Sequence, residues 1–210
     1  MSYFITLEGG EGVGKSTAVQ FLQQTLTQLG VDHLCTREPG GTSLGESIRQ
    51  ILLTPRAEPI TEDAELLLMF AARAQHIAQV IRPALAKGQW VISDRFTDAS
   101  FAYQGGGRQI AMSRIAELAR YVQRDLTPDL TLLLDAPLDL TMQRVNRRGE
   151  KDRFEQENQA FFDRVRHAYL ALAKAEPQRF VVIDASQPLP RVQAAIRAAL
   201  NERLGLGLPL

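Results

Sequence analysis

The sequence is short of residues that bring their own chemistry. One cysteine, Cys35, stands among 210 residues, which excludes an internal disulfide and a cysteine-based metal centre. The three scattered histidines, His33, His76 and His167, do not suggest a metal site. His76, like its neighbour Gln75, carries no distinctive signal and reads as a surface or interface residue. Neither sign of charge is in excess, with 24 basic residues against 24 acidic ones. No whole-surface field therefore draws the chain to nucleic acid or to an anionic membrane, and any phosphate must be met by a local cluster. Long apolar runs are missing as well, and none reaches the length of a membrane span. The apolar run at the N-terminus lacks a basic flank and stops at Glu8, unlike a signal peptide. These absences predict a cytoplasmic protein with no membrane and no nucleic-acid partner.

What is present is ordinary in bulk, 45% apolar and 23% charged, and suits one α/β domain over residues 1–210 without linker or repeat. The strongest local signal comes first. Ser2–Leu7 reads as a short apolar strand, and Gly9–Ser16 fits G-x-x-x-x-G-K-[ST] ahead of an amphipathic stretch to Leu29. Strand, glycine-rich loop and helix in that order predict a phosphate-binding P-loop. The backbone of Gly10, Glu11, Gly12, Val13 and Gly14 would wrap an anion, helped by the positive end of the helix dipole. Lys15 would reach the β- and γ-phosphates, Ser16 would give Mg²⁺ one oxygen, and Thr17 follows in the first helical turn. The expected ligand is a nucleoside triphosphate.

Further apolar strands are expected at Val31–Thr36, Trp90–Ser93, Leu130–Leu134 and Phe180–Ile183. Helical periodicity fills the intervals, near 16–29, 44–53, 62–86, 111–124, 138–147, 156–174 and 189–203. This alternation predicts a five-stranded parallel sheet covered by helices on both faces, the three-layer sandwich of P-loop NTPases. Right-handed crossovers then gather the C-terminal strand ends, and the ligands, on one edge. Cys35 falls in a strand expected to be buried and reads as a packed, inert thiol. The tail Gly205–Leu210 reads as a frayed end.

The chemically interesting residues follow strand ends. Arg37 opens Arg37-Glu38-Pro39-Gly40-Gly41-Thr42 and projects over the P-loop edge, or else stabilises a salt-bridged turn. Asp94 is placed as a Walker-B-like carboxylate near Mg²⁺, and Arg95 faces the gap between two phosphates; the other reading is a buried ion pair. Phe70 and Arg73 share a helix face, so the ring could stack on a base and the guanidinium donate to its carbonyl. Phe70 taken alone reads more readily as core. Ser100 to Gly107 follows a short helix and reads as a flexible loop, where Tyr103 and Gln104 offer a ring and an amide to a base. Arg144, Arg147, Arg148 and Arg153 crowd around Gly149, as a solvated charged face or as a mobile lid over 147–153. Basic groups converge from several segments, and no residue stands out as a general base. A phosphate acceptor is mostly ionised at neutral pH, its second pKa being near ~6, and needs charge neutralisation and alignment instead. That pattern predicts a nucleoside monophosphate kinase.

Five blocks in register sharpen this. Glu8–Thr17, Thr36–Thr42, Phe70–Gln75, Ser93–Phe96 and Ala102–Gly107, followed by the arginine-rich Arg147–Arg153, together resemble thymidylate kinase, in the bacterial type whose lid supplies an arginine. The resemblance implies transfer of the ATP γ-phosphoryl group to dTMP with Mg²⁺, giving dTDP and ADP for dTTP synthesis, by a homodimer. It implies that Phe70 stacks on thymine, Arg73 binds its carbonyl, and Ser100, Tyr103 and Gln104 line the nucleoside pocket. Arg37 and Arg95 would hold the dTMP phosphate, Glu11 would approach the acceptor sugar or a water near that phosphate, and Arg148, or its competitor Arg147, would be the lid residue. Phe96 departs from the Tyr or His often found there and removes that polar group. Other acceptors, including dUMP or a deoxynucleoside, and a nucleotide-switch ATPase are the competing readings.

Overall fold

The computed structural model describes residues 2–147 and 152–208. Five short strands alternate with helices: β1 (Phe4–Glu8), β2 (His33–Arg37), β3 (Trp90–Asp94), β4 (Leu130–Asp135) and β5 (Phe180–Asp184). All pair in parallel, in the order β2-β3-β1-β4-β5. The order reverses at β1, so the P-loop leaves the sheet between the two strands that flank it, where open α/β sheets bind ligands.

Side chains alternate across the sheet. Ile5, Leu7 and Leu132 face α1 (Lys15–Gln28) and α9 (Leu189–Leu204), meeting Leu22, Leu26, Ile196 and Leu200. On the other face Phe4 and Val91 meet Ile77, Ile81 and Phe96, and Leu133 meets Phe161, Val165 and Tyr169 of α8 (Gln159–Ala175). Helices thus cover both faces, as the apolar strands predict. The edge strands are less enclosed. β2 is only half-buried and Cys35 is partly exposed rather than packed away, because a strand paired on one side is shielded on one side. Burial still pushes the Cys35 thiol up, away from reactivity.

The remaining helices are α2 (Ser43–Leu53), α3 (Glu62–His76), α4 (Arg82–Ala86), α5 (Thr97–Ser100), α6 (Met112–Gln123) and α7 (Leu138–Asn146). Residues 62–86 run as one rod, but a wide π-type turn at Ile77–Ile81 joins α3 to α4. A second π-type turn, Phe101–Gly107, replaces the flexible loop expected there. It is buried, and its glycines serve close approach: a Cβ at Gly106 would lie 2.6 Å from the Ala168 Cβ of α8. The tail also differs from a frayed end. Asn201 donates to Leu208 O at 2.8 Å and accepts from Leu208 N at 2.6 Å, which docks Leu206 and Leu208 on the core.

Candidate active site

The P-loop spans the gap from β1 to α1. Gly14 is the N-cap of α1, left-handed at φ 96° and without a capping side chain, whereas Thr42, Thr61 and Asn158 cap α2, α3 and α8. The first N–H groups of α1 are therefore open to an anion. Gly12 has φ 74°, and a Cβ there would run into the Thr141 carbonyl of α7. Lys15 lies across the loop and donates to Gly9 O at 3.1 Å and Gly10 O at 2.9 Å. Burial, and after it the charge of Arg95, hold its ammonium below the usual range. The negative charge of an incoming phosphate would counter both by favouring the ammonium form.

A cavity opens beside the loop, along the C-terminal edge of β1, β2 and β3. Glu11, Gly12, Gly14, Lys15 and Ser16 form one wall; Arg37, Arg73, Asp94 and Arg95 line the centre, and Ser100, Tyr103 and Gln104 lie beyond. Arg95 has φ 71° and is fixed on several sides. Its guanidinium donates to Gly9 O at 2.9 Å, to the Tyr103 hydroxyl at 3.0 Å, to the Tyr169 hydroxyl at 3.2 Å and to Glu11. Tyr103 in turn donates to Glu11 at 2.8 Å. Glu11 is thus tied to Arg95 and Tyr103. Behind them, Tyr169 donates to Glu8 at 2.7 Å, and Phe96 N donates to its other oxygen at 2.7 Å. Burial foremost, then Asp98, pushes the Glu8 carboxyl up to about 8.

Other expected residues take less direct positions. Arg37 lines the cavity while ion-paired with Glu46 at 2.8 Å, so both readings of it hold at once. Arg73 is 2% exposed and donates to Glu38 at 2.7 Å, Ser100 Oγ at 3.1 Å and Phe96 O at 3.0 Å. Phe70 is buried with Leu66, Ile110 and Ile115 and backs Arg73, whose guanidinium carbon is 4.7 Å from the ring centre. Val13 and Thr17 face a second cavity across the loop, shared with Arg144, Gln187 and Val192. Gly10 contributes the carbonyl that Lys15 binds. Arg148 lies outside the described residues. Arg153 does not line the cavity: it donates to Leu52 O at 2.6 Å and to Glu65 at 2.6 Å.

Several residues that serve the site gave no local sequence signal. Arg49 of α2 lines the cavity and donates to Pro39 O at 2.9 Å. Burial, and then the charge of Arg37, hold its guanidinium below the usual range, as expected of a cation placed to receive an anion. His76 is fully buried, not a surface residue: its ring bridges Glu38 at 2.9 Å and Thr36 at 2.7 Å. Arg144 donates to Gly12 O at 3.3 Å, which removes it from the solvated-face reading. The residues present fit Mg²⁺. Asp94 Oδ1 is buried without a hydrogen-bond partner, and Ser16 lines the same cavity. Among the described residues no cluster of three or more His, Cys, Asp or Glu could hold a metal.

Known proteins match this chain along nearly its whole length. The family model for thymidylate kinase covers residues 7–196. Thymidylate kinase of Chromohalobacter salexigens is 61% identical over 203 residues, 96% of each chain. That of Pseudomonas putida is 58% identical over 197 residues, 94% of this chain and 95% of its own. The solved structure of thymidylate kinase from Ehrlichia chaffeensis superposes with a TM-score of 0.78 at 33% identity, covering 95% of this chain and 98% of that one. Sheet order, P-loop, cationic cavity and these likenesses agree, and the chain belongs to the thymidylate kinase family.

Proposed function

We propose that the protein transfers the γ-phosphoryl group of ATP to dTMP, giving ADP and dTDP. The observation that carries this reading is one cavity joining the open N-terminus of α1 to a wall of Arg37, Arg49, Arg73 and Arg95. Such a site suits two polyanions brought end to end, where the obstacle is mutual repulsion. ATP lies along Gly10–Thr17, with Lys15 on its β- and γ-phosphates and its base toward the second cavity beside Arg144 and Gln187. The dTMP phosphate sits between Arg37, Arg49 and Arg95. Arg95 is held by Glu11, Tyr103 and Tyr169, so its charge is oriented before substrate arrives, which is where electrostatic catalysis gains most.

The thymine end meets Arg73, Ser100, Tyr103 and Gln104, while Phe70, buried outside the cavity lining, supports Arg73 from behind rather than offering the stacking face expected of it. Ser16 and Asp94 would hold Mg²⁺, which would supply positive charge against the negative charge that develops during transfer. The acceptor phosphate arrives ionised and no proton need be removed. Arg148 supplies lid charge in this scheme, on the strength of the sequence. A homodimer and a cytoplasmic setting complete the reading. No described helix is long and apolar enough to cross a membrane.

A coupled ADP-release assay tests the reaction, with ATP and Mg²⁺ against dTMP, dUMP, dCMP, dGMP, thymidine and no acceptor. Release should be rapid with dTMP, weaker with dUMP, which lacks one methyl worth ~1–3 kcal/mol, and lost in Lys15→Ala. ADP release indifferent to acceptor would end the kinase reading.

A further inference from the structure

Glu65 stands in the first turn of α3, outside the cavity lining, and is 1% exposed. Its carboxylate collects three side chains. Arg108 donates to it at 3.2 and 3.3 Å, Arg153 at 2.6 Å, and Gln104 Nε2 at 2.9 Å. The two arginines provide the compensation that a buried carboxylate needs. The contact with Gln104 has a different consequence. A carboxylate only accepts hydrogen bonds, so the amide of Gln104 must turn its NH₂ toward Glu65. Its carbonyl oxygen, Oε1, takes no hydrogen bond from the described residues, and Gln104 lines the cavity. The end of Gln104 offered to a ligand is therefore an acceptor.

Arg73 has the complementary character. Its three described hydrogen bonds use part of a guanidinium that carries five N–H groups, and all it can offer is a donor. A donor at Arg73 and an acceptor at Gln104 match a pyrimidine-dione edge, which presents a carbonyl beside a ring N–H. An amino-pyrimidine edge presents the reverse, an NH₂ beside a bare ring nitrogen, and meets two mismatches.

We propose that Glu65 is a specificity-determining positioning residue: by fixing the amide of Gln104 it makes the site select thymine over cytosine. This rests on the dTMP kinase reading above. Glu65 touches no substrate and acts through Gln104. Replacing it by glutamine keeps shape and an acceptor for the arginines. It also offers an NH₂ that can face Gln104 Oε1, so Gln104 can turn and present its own NH₂ to the base.

The test compares kcat/KM for dTMP and dCMP in wild type, Glu65→Gln and Glu65→Asp. The dTMP preference should fall about tenfold or more in Glu65→Gln, through a higher KM for dTMP and a gain on dCMP, with kcat for dTMP changed less. Glu65→Asp keeps the charge for Arg108 and Arg153 but withdraws it from Gln104 by one methylene. Its preference should fall too, and it decides the matter if the glutamine variant does not fold. Equal proportional losses on both substrates, or an unchanged preference, would overturn the proposal and reduce Glu65 to a structural anchor. A wild type that does not prefer dTMP would instead remove the functional reading itself.

Discussion

At the scale of single residues, the site is a set of buried titratable groups whose desolvation costs are offset by one another. Glu8 is the sharpest case. It is fully buried at the end of β1, and its carboxyl titrates near 8, chiefly through burial, against about 4.3 in an unfolded chain. Between those values the folded protein holds a proton that the unfolded chain has released. Stability therefore falls as pH rises through that window, by at most about 1.4 kcal/mol per pH unit from this group. Thermal unfolding of wild type should show a midpoint declining from pH 5 to pH 8, and Glu8→Gln, which cannot ionise, should flatten that decline. Parallel curves for the two proteins would show that Glu8 ionises freely inside the fold. Such residues were only partly legible beforehand. Lys15, Ser16, Asp94 and Arg95 were readable because their spacing from a strand end defines their place. Arg49 and His76 were not, because a lone cation or imidazole on a helix becomes part of a site only when another element, here the Arg37–Thr42 segment, folds against it.

At the scale of elements, the sequence misled where glycine was read as freedom. Gly105, Gly106 and Gly107 suggest a flexible loop by composition, yet they form a buried π-type turn that carries Tyr103 and Gln104 into the cavity. Local propensity carries no record of the α8 surface they must meet. A side chain at Gly106 would press on Ala168 Cβ at 2.6 Å and on the Arg164 carbonyl at 2.9 Å, and backbone cannot step aside as a flexible side chain can. Gly106→Val should cost about 1–3 kcal/mol, read as a lower thermal midpoint. It should also raise KM for dTMP more than KM for ATP, because the displaced turn carries nucleoside-pocket residues and none of the P-loop. A variant as stable and as tight for dTMP as wild type would restore the flexible-loop reading.

At the scale of the whole molecule, strand count, parallel pairing and the binding edge were legible because buried strands are written as continuous apolar runs between periodic helices. Molecular surfaces leave a weaker trace, since one exposed apolar residue looks much like another in sequence. The structure supplies what the sequence lacked: α3 and α6 expose Leu67, at 57%, and Tyr121, at 82%, around a shallow cleft also lined by Leu66 and Leu118. Apolar groups this exposed, on two helices that line one cleft and rimmed by Asp63, Arg114 and Glu117, are stabilising once covered. A homodimer that packs this face against its copy would place the interface on the helix that also bears Glu65, Phe70 and Arg73. Leu67→Glu should then shift the protein to monomer in analytical ultracentrifugation, because two-fold symmetry puts each new charge into the interface twice. A Leu67→Glu protein that sediments like wild type would show that this face is not an interface between copies.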